Sequence, residues 1–422
     1  MTEFLRLVPS DKARLLLLSN MASPLGEVEL VETVQSLHRV TAEDVLAPHS
    51  LPDFARSTVD GYALRARDTF GASPSLPAYL RFVGEVAMGT APGFAIEAGA
   101  CALIHTGGML PAGADAIVML ENTQALPSEA GSESPAGEVE ILKAVAPGEN
   151  VILPGEDVKA DQAVIPRGTA LRPQEIGGLM ALGITFVRVA RRPRVALISS
   201  GDEIVDPQTK PRPGQVRDVN ASSLSALVSD SGAQPVFFGI VPDDVGRLNT
   251  AVRKALAECD MVIITAGSSA SVRDLTAATI SSLGAPGVLV HGVNIRPGKP
   301  TILGVCGGRA VIGLPGNPVS ALISARLFVL PAIAALLGLP LNQPHSTIIA
   351  RLSVNLSSQT GREDWWPVRL QRAPTPPYEW FAEPIFGRSN LIFSLVAAHG
   401  LIRIPADKNG LSAGEPVEVE PL

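Results

Sequence analysis

Between residues 194 and 284 the chain repeats one pattern, a short apolar run followed by a longer segment with apolar residues at helical spacing. RVALIS (194–199), PVFFGIV (235–241) and MVIIT (261–265) are the apolar runs. NASSLSALVSDSG (220–232), DDVGRLNTAVRKALAEC (243–259) and DLTAATISSLG (274–284) are the segments that follow them. Runs that are apolar throughout and rich in β-branched residues suit strands covered on both faces. Connections of this length suit right-handed crossover helices, so this stretch reads as an α/β unit around a parallel sheet. Asn220 is placed to cap the first helix and Gly232 to end it.

The rest of the chain has a different texture. At 422 residues it exceeds one ordinary core, and 46 % hydrophobic with 18 % charged residues indicates an ordered chain. EVELVETVQSLHRV (27–40) places Leu30, Val31, Val34 and Leu37 on one helical face and predicts an amphipathic surface helix. From Leu80 to Val145 short apolar runs broken by Gly and Pro predict a β-rich module, with the polar segment 124–138 joining two of its strands. LRPQEIGGLMALGI predicts a short helix ending near Gly183, and alternating runs from about residue 345 onward predict a final β-domain or barrel. The expected domains are therefore 1–47 with 147–188, then 48–146, 189–340 and 341–422.

Several classes of function are disfavoured. The net charge is −7 and no block of Lys or Arg occurs, which gives no support to a nucleic-acid or membrane partner. The longest apolar stretch, Leu327–Leu341, holds Pro331 and Pro340 and falls short of the roughly 20 residues of a bilayer span, so it reads as a buried helix. The first residues lack the basic, apolar and small-residue order of a secretory signal, and a cytoplasmic location is expected. Cys101, Cys259 and Cys306 lack paired spacing and read as buried free thiols.

Parallel strands direct their C-terminal ends to one rim, where ligands of open α/β sheets bind. SSGDEIV and TAGSSASVRD follow two of those strands, and Gly267, Ser268 and Ser269 offer backbone N–H groups to an oxyanion. Glu203, Asp218 and Asp274 reach the same rim, where carboxylates suit a hard cation such as Mg²⁺, although each alone is as well suited to starting a helix. Two proline-glycine turns, IRPGKP (295–300) and GLPGNPVS (313–320), bring Arg296, Lys299, Asn317 and Ser320 to what reads as an oxyanion pocket. Asp60 in LPDFARSTVDGYAL and Thr106 in HTGGMLPAGADAIV lie outside the α/β unit. For Asp60 a plain turn, with Gly61 supplying a positive φ, accounts for the residues equally well.

Taken in order, PDFARSTVDGYAL, IHTGGMLPAGADAIVMLE, PGEDV, RPRVALISSGDEIV, PGQVRDVNASSL, AGSSASVRDLT, RPGKP and GLPGNPVS resemble the MoeA family of molybdopterin molybdenumtransferases over nearly the full length. The resemblance implies an elongated homodimer of four-domain chains, with a molybdopterin-binding α/β domain and a C-terminal β-barrel. It implies conversion of adenylylated molybdopterin and molybdate, with Mg²⁺ or another divalent cation, into molybdenum cofactor and AMP. It gives Asp60, Thr106, Glu203, Asp218 and Asp274 as activity-linked positions, with Glu203 and Asp274 as the metal candidates, and sets Asp60 and Thr106 across the dimer interface. Lys299, Pro315, Pro318 and Ser320 match pocket-lining positions, and Arg362 and Ser394, with Ser389 as the alternative, match the molybdate side. The preceding adenylyltransferase and apo-molybdoenzymes are implied as partners.

The chain departs from the family pattern at Ala266 and Ser271, where glycines are usual, and at Gly292, where many bacterial members carry lysine. These changes bear on affinity more than on reaction class. Two other functions fit parts of the sequence. A molybdopterin adenylyltransferase would need only the α/β unit, and a scaffold of the gephyrin type would need partner-binding additions that the sequence lacks.

Overall fold

The computed structural model describes residues 7–126, 137–266, 270–341, 346–372 and 380–422, with the backbone but not the side chains of 270–274. The chain divides into two compact units. One comprises Met1–Glu43, Arg167–Pro173 and Phe186–Leu422; the other comprises Asp44–Pro166 and Gln174–Thr185.

The smaller unit is built on a six-stranded sheet in the spatial order Ala116–Met119, Gly61–Leu64, Ala100–Ile104, Ala78–Glu85, Glu138–Ile141 and Thr123–Leu126. The two strands flanking the polar segment pair antiparallel, as its composition predicts; residues 127–136 lie outside the described residues. Leu64, Leu80, Cys101, Val118 and Ile141 form its core. Gly61 does not supply a positive φ. It opens a buried strand, and a Cβ there would lie 2.0 Å from the carbonyl oxygen of Val118, so the position requires close backbone approach.

The larger unit holds the α/β sheet, in the order Gln234–Val241, Arg194–Ser200, Met261–Ala266, Arg309–Pro315, Ile302–Cys306 and Pro286–His291. The first four strands are mutually parallel, and Ile302–Cys306 runs antiparallel to both of its neighbours. That antiparallel strand enters because the Gly307–Gly308 turn, with both glycines at positive φ, links it directly to the next strand without a crossover helix. Helices Val219–Asp230 and Val245–Glu258 cover opposite faces through Leu224 and Val228 on one and Leu248 and Val252 on the other. The first helix is capped by Asp218, whose carboxylate accepts from the amide of Ala221, and not by Asn220. The chain turns helical two residues earlier than the cap pattern suggests, which places Asn220 inside the first turn.

The segment predicted as a helix over 27–40 is instead a strand, Val28–Glu32, followed by a short 3₁₀ turn, Thr33–Gln35. It pairs antiparallel with Phe186–Ala190, and that remote ladder outweighs the local helical spacing of a β-branched segment. The apolar run near residue 330 belongs to a continuous helix, Pro318–Leu337, long and apolar enough to cross a membrane. Its Ala321, Phe328, Val329, Ile333 and Leu336 are buried in the α/β core, so it packs as the core helix expected there. A π-helical stretch, Ala325–Val329, precedes Pro331 and accommodates a residue that lacks an N–H.

The C-terminal region is a closed barrel. Glu363–Arg372 pairs with Trp380–Pro384 on one side and Gly400–Ile404 on the other, and Ile348–Leu352 with Pro416–Pro421 completes the ring. A two-residue strand from the α/β side, Ile295–Arg296, adds in parallel to Glu363–Asp364.

Candidate active site

Parallel pairing sets Ser200 opposite Ala266 and Ala266 opposite Pro315, so the loops after these three strands leave one rim of the sheet. Glu203 is exposed in the first of them, with no ion-pair partner among the described residues. Gly267, Ser268 and Ser269 lie outside the described residues, as does the side chain of Asp274, which sits in helix Ala270–Ser282. Asp218 is 4 % exposed and committed at both oxygens: it caps its helix and accepts from the Ser199 hydroxyl at 2.5 Å. Ser199 in turn accepts from Thr265 at 3.3 Å, which ties two rim strands to the helix start. Asn220 donates to the carbonyl of Gly316 at 2.8 Å and so fixes the third rim loop. Among the described residues no three Asp, Glu, His or Cys side chains form a metal-binding group.

Beside this rim, where the barrel meets the α/β sheet, lies a cavity of about 660 Å³. Eight residues singled out in the sequence line it: Arg296, Lys299, Pro315, Asn317, Ser320, Arg362, Ser394 and its alternative Ser389. The turn that carries Arg296 and Lys299 is pinned from behind. The Thr301 hydroxyl donates to the carbonyl of Gly298 at 2.7 Å and is hydrogen-bonded with the Ser324 hydroxyl at 2.9 Å, and the Val293 amide donates to the carbonyl of Lys299 at 2.9 Å. Gly298 has φ 114°, and a Cβ there would approach the Ser324 hydroxyl to 2.5 Å, so this turn requires glycine. On the opposite wall Asn317 donates to the Ser389 hydroxyl at 3.1 Å, and the Val319 amide donates to the Ser389 carbonyl at 3.1 Å. Ser389 thus holds the helix start against the barrel loop, while the Ser394 hydroxyl donates to the carbonyl of Leu391 at 2.7 Å. Pro318 is the first residue of that helix, a position that needs no N–H donor.

In the smaller unit Asp60 and Thr106 meet directly. Oδ1 of Asp60 accepts from the amide of Thr106 at 2.7 Å and from its hydroxyl at 3.1 Å. These two bonds hold the Asp60 carboxyl below its ordinary range, with a smaller push from His105, whose Nδ1 lies 3.7 Å away. His105 also meets Glu85 at 3.0 Å.

Residues 8–183 match the model of the MoeA N-terminal region (domain I and II), 196–335 that described as "Probable molybdopterin binding domain", and 349–422 the MoeA C-terminal region (domain IV). Molybdopterin molybdenumtransferase 2 of Mycobacterium tuberculosis is 33 % identical over 92 % of this chain and 94 % of its own. The chain belongs to the MoeA family. A molybdopterin molybdenumtransferase of Bacillus subtilis is 32 % identical over 93 % of this chain and 90 % of its own. A MoeA protein of Pyrococcus horikoshii superposes with TM-score 0.84 at 31 % identity, covering 99 % and 100 % of the two chains.

Other lining residues of this MoeA-family pocket were not anticipated from the sequence. Arg388 adds a fourth cation to Arg296, Lys299 and Arg362, and Trp365 and Trp366 supply an aromatic wall. Arg296 stacks 5.9 Å from the Trp366 ring centre, and Phe386 meets the same ring edge-on at 5.6 Å. Arg388 stands between Gly387 and the quoted Ser389, and that short polar turn is the local signal that could have drawn attention to it.

Proposed function

We propose that this chain is a molybdopterin molybdenumtransferase acting on adenylylated molybdopterin and molybdate, releasing molybdenum cofactor and AMP. The observation that carries the reading is the convergence of Arg296, Lys299, Arg362 and Arg388 with Asn317 and Ser320 on one cavity beside the rim. Molybdate is a dianion and the phosphate released with AMP gains charge as its anhydride breaks, so fixed cations and amide donors favour both partners and the transition state between them. Lys299 and Arg296, on a pinned turn, would face the incoming oxyanion. Arg362, with Ser394 or Ser389, would orient it from the barrel side. The N–H groups of Gly267, Ser268 and Ser269 would receive the nucleotide phosphate. Glu203 and Asp274 would hold Mg²⁺, and the ion would supply charge neutralisation at the anhydride. The full-length match, with β-rich module and barrel included, favours insertion over adenylylation.

The active form in this reading is a cytoplasmic homodimer. One face of the ribbon Val28–Glu32 and Phe186–Ala190 leaves Val28, Leu30 and Phe186 exposed, which supports a partner subunit covering it. The test is turnover of adenylylated molybdopterin with molybdate and Mg²⁺, following AMP release and cofactor formation together. Lys299→Ala is expected to lower kcat/KM by about 100-fold or more, the usual loss on removing a group that stabilises developing charge. Unchanged turnover would refute the pocket assignment.

A further inference from the structure

Asp364 places a carboxylate behind the lining of a pocket whose own lining charges are cationic. It is fully buried and receives Arg362 in a two-pronged contact, Nε at 2.7 Å and Nη2 at 3.1 Å. Nη1 of Arg296 lies 3.7 Å from its second oxygen. The parallel register sets Arg296 directly opposite Asp364, so the approach is built into the backbone pairing between the α/β turn and the barrel strand. Arg296 is further confined by the Trp366 ring. One buried carboxylate therefore gathers guanidinium groups from two structural regions that line the same cavity.

We propose that Asp364 is a positioning residue for the oxyanion subsite, fixing Arg362 and Arg296 so that their remaining N–H groups face the bound anion. The inference rests on the molybdate reading and deepens it. By charge alone Asp364 opposes a dianion, and its presence is favourable only if orienting the two forks outweighs that repulsion. An arginine held at one edge presents its other N–H groups in fixed directions, whereas a free one must be ordered on binding. The two effects have opposite signs. If Asp364 acted only through charge, Asp364→Asn would tighten molybdate binding; if it positions the arginines, the same change weakens it.

The experiment titrates the full chain and Asp364→Asn with molybdate, following the fluorescence of Trp365 and Trp366 in the pocket wall and, in turnover, KM for molybdate against kcat. Asp364→Asn is expected to weaken molybdate binding by about tenfold or more and to raise KM more than it lowers kcat. Arg362→Lys keeps the charge but loses the fork. It should weaken binding several-fold alone and add little in the Asp364→Asn background, because both changes remove one arrangement. Equal or tighter binding by a folded Asp364→Asn variant, parent-like binding by Arg362→Lys, or strictly additive losses would overturn the inference. A parent chain that binds molybdate with this dependence but releases no AMP would leave the inference standing and refute the catalytic reading. A parent that does neither refutes both.

Discussion

Asp60 is exposed, yet one of its oxygens accepts two hydrogen bonds from a single residue, Thr106. Both bonds favour the ionised carboxylate, so its folded-state pKa is depressed. The associated stability is present above the unfolded-state pKa and is lost as pH falls through the folded value. Thr106→Val removes the hydroxyl donor and keeps the amide, so the Asp60 midpoint should rise towards the ordinary carboxylate range in a carboxyl-carbon NMR titration. A midpoint that stays in place would assign the depression to the amide and His105 alone. The thiols show the opposite effect of environment. Burial pushes Cys101 up to about 12 and raises Cys259 and Cys306. A thiol reagent at pH 8 should therefore label none of the three in the folded chain and all three after denaturation, and rapid labelling before unfolding would contradict their burial.

The elements that could be read from the sequence are those whose environment leaves a local trace. Arg194–Ser200 and Met261–Ala266 are buried along nearly their whole length and read as continuous apolar runs. The RPGKP and PGNP turns were legible because rigid turn residues carry cations and amides at their tips. Val28–Glu32 was not, since its partner Phe186–Ala190 lies far along the chain and nothing local reports that ladder. Asp364 was missed for a related reason: its role depends on a register between the barrel and residues 295–296. The turn at Gly298 allows a test at this scale. With φ 114° and a would-be Cβ 2.5 Å from the Ser324 hydroxyl, Gly298→Ala should cost about 1–3 kcal/mol of stability in chemical denaturation. It should also weaken molybdate binding, because the same turn presents Arg296 and Lys299. Parent-like stability would show that the turn can relax without glycine.

At the scale of the whole molecule, each compact unit is assembled from separated stretches of chain, since residues 44–166 interrupt the larger unit and 174–185 return to the smaller. The ribbon of Val28–Glu32 and Phe186–Ala190 lies within the larger unit, and a two-stranded ribbon is a weak element unless something covers its apolar face. The pleat puts Val28 and Leu30 on one face, and Phe186, opposite Glu32, shares it. Leu30 is 64 % exposed and Phe186 53 % exposed in the single chain. Covering a leucine of this kind contributes about 1.5–3 kcal/mol, so Leu30→Asp, which also introduces a charge, should weaken a dimer formed through this face by at least about tenfold. Sedimentation velocity across a concentration series should show the parent as one dimeric species and Leu30→Asp shifted towards monomer, with far-UV circular dichroism and thermal unfolding of the monomeric fraction little changed. A parent that sediments as a monomer at all concentrations would refute the dimer. A dimer indifferent to Leu30→Asp would place the contact on another face and leave these apolar side chains without a function in assembly.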